Sequence, residues 1–137
     1  MKFNAYVNFA GCCAEALAYY EQHLGAKTLM KMTHSQSPEP EKTPPGMENA
    51  VMHARIQIGD GVLFASDGPL GHTEPMRSAY LTLSVDSNEE AERIYAALTE
   101  GGQVFMPIAE TFFAHRFAML RDRFGVNWMI IHGKQPE

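Results

Sequence analysis

The sequence predicts an α+β fold made of two tandem βαβββ modules, and three observations predict it. First, Ala5-Tyr6-Val7-Asn8-Phe9 is echoed by Ala79-Tyr80-Leu81-Thr82-Leu83, and Glu15-Ala16 followed by Tyr20 is echoed by Glu90-Ala91 followed by Tyr95. Second, Arg55 with Asp60-Gly61-Val62-x-Phe64 is echoed by Arg116 with Asp122 and Gly125-Val126-x-Trp128. Third, each copy passes from alternating apolar residues to a helical stripe and then to three more short apolar runs parted by turn residues. A duplicated unit directs attention to the faces its two copies present.

The elements follow in order. Residues 3–9 alternate, so one side of a strand is apolar. Apolar residues at Ala14, Leu17, Ala18 and Leu24 form a helical stripe, and Gly25 stands where a left-handed C-cap belongs. Residues 26–33 read as a strand. Ser35 to Gly46 contains Pro38, Pro40, Pro44 and Pro45, which break both ladders and helices, and reads as a mobile loop. Residues 50–58 form a strand, Gly59-Asp60-Gly61 a tight turn, and 62–66 the return strand. In the second copy, residues 78–85 are a strand and Ser87 or Asn88 caps a helix over 89–100. Glu89, Glu90 and Glu92 lie near its start, where the dipole favours acids. Ala91, Ile94, Tyr95 and Leu98 form its stripe, Gly101-Gly102 ends it, and strands follow at 103–109, 115–121 and 126–132. The modules span about 1–68 and 78–133, joined by a linker at 69–77. Neither small sheet buries a face alone, so residues 1–137 are expected to form one domain around a shared core.

Bulk properties narrow the function. A formal charge of -5 argues against nucleic acid, which asks for a basic stripe. No apolar run approaches the roughly 20 residues of a membrane span. The N-terminus shows no apolar signal block. Cys12 and Cys13 are adjacent, a spacing that strains a disulfide and fits a reducing compartment. The protein is expected to be cytoplasmic.

Tyr6-x-Asn8-Phe9-x-Gly11-Cys12 with Glu15-Ala16 and Tyr19-Tyr20, Ile58-Gly59-Asp60-Gly61, Glu110-Thr111-Phe112-Phe113, and Asp122-x-Phe124-Gly125-Val126-Asn127-Trp128 together span nearly the whole chain. In these motifs the chain resembles the vicinal oxygen chelate superfamily, the glyoxalase/bleomycin-resistance/dioxygenase group, and within it the PhnB-like branch. The resemblance implies paired βαβββ modules forming a concave mixed sheet, in a homodimer. It also implies a divalent metal held by His, Gln or Glu from four strands, acting as a Lewis acid on vicinal oxygens. Members of this branch carry a 3-demethylubiquinone 3-methyltransferase-like label. No Gly-rich turn of the methyltransferase kind follows the first strand, and Gly101-Gly102 follows a helix, so that activity is not carried over.

The family's metal positions fall here on Ala5 or Tyr6, Phe64 or Ala65, Tyr80, and Met129. None is a histidine or carboxylate, the donors such an ion wants, so no metal of the usual kind and no cofactor is expected. Tyr6, Phe64, Tyr80 and Met129 instead suggest an apolar-aromatic pocket for a small organic ligand, with hydroxyls fixing its orientation. Strand parity then sends Trp128 to the opposite side, into the core or under a helix. His53, Asp67 and His115 are added to the ligand pocket because they could assemble a displaced metal site, which supports an alternative reading as a lyase, isomerase or dioxygenase-like enzyme. A third reading is a structural or interaction protein whose concavity is filled by its own side chains. Arg55, Arg116, Arg121 and Arg123 recur on the later strands, suited either to a carboxylate or phosphonate ligand or to ion pairs with nearby acids.

Overall fold

In the computed structural model, which describes residues 1–69 and 73–135, each half of the chain runs strand, helix and three strands. The halves form two compact units, Met1–Glu74 and Pro75–Glu137. Residues 70–72 of the expected linker lie outside the described residues.

The first unit contains β1 (Tyr6–Phe9), α1 (Cys13–Leu24), β2 (Lys27–Thr33), β3 (Val51–Ile58) and β4 (Gly61–Asp67). The sheet order is β1-β4-β3-β2, with β1 parallel to β4 and the other neighbours antiparallel. Alternation assigns Val7, Phe9, Ala54, Ile56, Leu63 and Ala65 to the buried face, which α1 covers with Cys13, Ala16, Leu17 and Tyr20. Each larger apolar side chain taken fully out of water there contributes about 1.5–3 kcal/mol. The helical stripe expected at Ala14, Leu17, Ala18 and Leu24 is therefore rotated: Ala14 and Ala18 are exposed. Alanine carries little face preference, and the fully buried Tyr20 outweighs it. Gly25 closes the helix at φ 63°, with its N–H donating to the Tyr20 carbonyl. β1 is shorter than the expected strand over 3–9 and begins at Tyr6. The proline-rich stretch contains two short 3-10 turns, His34–Gln36 and Pro40–Lys42, the first stabilised by the Thr33 N–H donating to Gln36 Oε1 at 3.0 Å.

The second unit contains β5 (Leu81–Ser84), α2 (Asn88–Thr99), β6 (Gln103–Ala109), β7 (Ala114–Arg121) and β8 (Asn127–Gly133), in the order β5-β8-β7-β6. Here too the first strand is parallel to the last and the remaining pairs are antiparallel. Ser87 is the N-cap: its Oγ accepts from the Glu90 N–H at 3.1 Å, an interaction worth about 1 kcal/mol. Ala91, Ile94 and Leu98 of α2 are buried, as are Ala118, Leu120, Trp128 and Ile130 of the sheet. Trp128 is 1% exposed and Met129 only half-buried, so parity places the indole in the core.

Strand register makes the repeat exact at the level of positions. Tyr6 pairs with Phe64 and Val7 with Ala65; Leu81 pairs with Trp128, so Tyr80, one residue earlier, corresponds to Tyr6 and Asn127 to Phe64. Arg55 pairs with Phe64 and Arg121 with Asn127. The counterpart of Arg55 is thus Arg121, and the echo with Arg116 is corrected.

Candidate functional site

On the first sheet, the face away from α1 carries a row that runs across three strands: Tyr6 on β1, Phe64 on β4, and His53 and Arg55 on β3. Direct strand partners share a face, so the register itself gathers these residues. The Tyr6 hydroxyl is hydrogen-bonded to His53 Nδ1 at 3.4 Å, and their ring centroids are 5.8 Å apart. Phe64 stands edge-on to both, 6.3 Å from Tyr6 and 5.8 Å from His53. The Arg55 guanidinium carbon lies 5.1 Å from the Phe64 ring centroid, within cation–π range. Tyr6 remains 50% exposed and Arg55 is exposed, so the row presents aromatic surface and cationic donors together. Beside it, Ser66 Oγ donates to Asn8 Oδ1 at 2.8 Å.

The corresponding face of the second sheet holds Tyr80, Met129 and Arg121. Tyr80 meets Phe105 edge-on at 6.4 Å, and Arg121 lies 5.4 Å from the same ring. Arg121 is bound internally: Nε donates to Asn127 Oδ1 at 2.9 Å, and a terminal nitrogen donates to the Met76 carbonyl at 2.7 Å. Phe105 was not among the residues expected to matter. Its strand has a register irregularity between Val104 and Met106, which hides its facing in the alternation.

Asp67 and His115 do not join these rows. Asp67 is buried on the helix side of β4, where Oδ1 accepts from the Cys13 N–H and Oδ2 from the Val51 N–H, both at 2.9 Å. It clasps the start of α1 to the start of β3. Burial, with the neighbouring Asp67 and Cys12 charges, pushes the Cys13 thiol up to about 12. His115 lies beside the His132 ring, at 4.8 Å, near the far end of β8 from Asn127 and hence from Tyr80. At about 3.3 Å per residue, that is a separation of roughly 20 Å.

The superfamily's metal does not fit this donor set. The matching positions supply phenol, phenyl and thioether groups, and the imidazole of His53 is engaged with Tyr6. Among the described residues, no three His, Cys, Asp or Glu side chains converge as metal ligands.

Residues 1–131 match the model of the 3-demethylubiquinone-9 3-methyltransferase family. The chain belongs to this PhnB-like family. It is 34% identical to Protein YjdN of Escherichia coli (strain K12), over 98% of this chain and 97% of that one. The PhnB-like fold is also that of protein PA1353 from Pseudomonas aeruginosa (TM-score 0.87, 39% identity, 97% of this chain and 98% of that one). A PhnB protein from Bacillus cereus described as a 3-demethylubiquinone-9 3-methyltransferase candidate superposes with a TM-score of 0.83 at 21% identity, covering 97% and 100% of the two chains. A glyoxylase/bleomycin resistance protein/dioxygenase domain from Frankia sp. EAN1pec shares the fold at a TM-score of 0.60 and 19% identity, covering 96% and 94%. This PhnB-like chain therefore shares the fold of a glyoxylase/bleomycin resistance protein/dioxygenase domain.

Proposed function

We propose that this PhnB-like protein binds a small, flat organic molecule on the helix-free face of its first sheet, with Tyr6, His53 and Phe64 forming the contact surface. The observation that carries this reading is the three-ring cluster of Tyr6, His53 and Phe64, which keeps Tyr6 half exposed. Offset or edge-on ring contacts with a ligand each add about 0.5–1.5 kcal/mol beyond the area buried. In the second unit, Tyr80 and Met129 occupy the corresponding face, where Phe105 and the internally bound Arg121 already stack on one another. Binding is favoured over methyl transfer because the β1–α1 connection, Ala10-Gly11-Cys12, contains one glycine and no Gly-rich cofactor turn.

The test is a saturation-transfer NMR screen of flat aromatic compounds against the purified protein. Bound compounds should weaken about tenfold with Phe64→Ala and little with Met129→Ala. Hits indifferent to Phe64→Ala would refute the location, and an empty screen would refute the reading.

Three further features belong to the same proposal. The two units fold as a single domain, the chain acts as a homodimer, and it resides in the cytoplasm. The dimer is supported by superfamily resemblance, and sedimentation showing monomer at micromolar concentration would remove it. The cytoplasmic assignment is supported by Cys12 and Cys13, neither of which is in a disulfide among the described residues. Among the described residues no helix is long and apolar enough to cross a membrane.

A further inference from the structure

We propose that the ligand is an organic anion and that Arg55 is the residue that selects it, an inference that rests on the binding face proposed above. The repeat built two equivalent arginine positions, and only one has its donors consumed. Arg121 is spent on Asn127 and the Met76 carbonyl. Arg116 meets Glu92 at 3.2 Å, Arg93 meets Glu90 at 2.7 Å, and Arg123 meets Glu100 at 3.8 Å. Arg55 lies exposed over Phe64, and among the described residues no hydrogen bond or ion pair engages its side chain. An acidic chain with a formal charge of -5 thus leaves a guanidinium unmatched beside its exposed aromatic cluster.

A guanidinium offers a planar fork of donors that matches a carboxylate or phosphate edge in two parallel hydrogen bonds. Stacking on Phe64 restrains that fork, so less freedom is lost when the anion docks. A ligand ring resting on Tyr6 and Phe64 places an anionic substituent within reach of Arg55 on the next strand, about 4.8 Å away. The chemistry selected is therefore an aromatic or apolar body bearing one anionic group. Arg55 supplies the charge preference, and the ring cluster supplies affinity shared by charged and neutral ligands.

The test compares benzoate with its neutral isostere benzamide by NMR titration of the purified protein, following the Tyr6, His53 and Phe64 ring signals. Benzoate should bind at least tenfold tighter, a difference of about 1.4 kcal/mol. In Arg55→Gln the two affinities should become equal, with both probes still shifting the rings, and Arg55→Lys should recover part of the preference. Equal affinities in the wild-type protein, or a preference surviving in Arg55→Gln, would overturn the role of Arg55 while leaving the aromatic face intact. If neither probe shifted the three rings, the binding face itself would fall, and the anion selection with it.

Discussion

Arg55 and Arg121 hold the same register position in their two sheets, opposite Phe64 on β4 and Asn127 on β8, yet among the described residues the side chain of Arg121 alone of the two is hydrogen-bonded to its own chain. Both guanidinium groups lie near a phenylalanine ring, at 5.1 and 5.4 Å. One copy of the duplicated position is used to hold structure, and the other is the one proposed above to meet a ligand.

Stability should therefore separate the two arginines. Arg121→Ala removes two hydrogen bonds from a half-buried guanidinium and frees the Asn127 amide oxygen. A loss of about 1–3 kcal/mol is expected in urea denaturation. Arg55→Ala should stay within about 0.5 kcal/mol of the wild type. Equal losses would mean that Arg55 also serves the fold.

A second prediction concerns Asp122. One carboxylate oxygen accepts from the Phe124 and Val126 N–H groups at 2.9 and 3.0 Å, and the other from the Trp128 indole N–H at 2.8 Å. Asp122→Ala leaves these buried donors without their acceptor and should cost about 2–4 kcal/mol. Trp128 is the chain's single tryptophan, so its fluorescence reports the unfolding curve directly. A loss under about 0.5 kcal/mol would show that the turn does not depend on this carboxylate.

Cys13 should give the protein an alkaline limit. Its thiol is held at about 12 against an ordinary 9.0, chiefly by burial. A pKa raised in the folded state leaves stability at its full value below about 9.0, and stability declines as pH rises towards about 12. In that window the folded chain keeps a proton that the unfolded chain has lost, at up to about 1.4 kcal/mol per pH unit. Cys13→Ala should flatten the difference between denaturation curves taken at the two ends of the window. An unchanged alkaline slope in that variant would exclude Cys13 as its source. In the native protein at neutral pH, a thiol reagent should reach Cys12 well before Cys13.

Calorimetry tests whether Met1–Glu74 and Pro75–Glu137 unfold together. A single transition with equal calorimetric and van't Hoff enthalpies is expected. Two separated transitions would show that the units are independent domains.

Much of the architecture was legible because the echoes preserve order: strand, helix and turn signals recur in both halves, and the eight strands among the described residues overlap the runs where alternation placed them, with β1 and β5 shorter than expected. The arginine correspondence was not legible. The β3–β4 hairpin continues through Ile56, Gln57 and Ile58 past Arg55, whereas β7 ends at Arg121 itself. Counting back from the turn aspartates Asp60 and Asp122 therefore selects Arg116 instead of its true counterpart. The direction of Asp67 was hidden as well. Its residue type suggests chemistry, but its parity with Leu63 and Ala65 sends it to the helix side, where backbone N–H groups use both oxygens. Tyr6, His53 and Phe64 could be proposed from sequence, but their gathering into one row needed the register.

Most direct for the central claim is an isotope-filtered NOE experiment on benzoate bound to the labelled protein. NOEs from the probe's ring protons to Tyr6 and Phe64, weakened in Arg55→Gln, are expected. NOEs confined to Tyr80, Phe105 or Met129 would contradict binding on the first sheet.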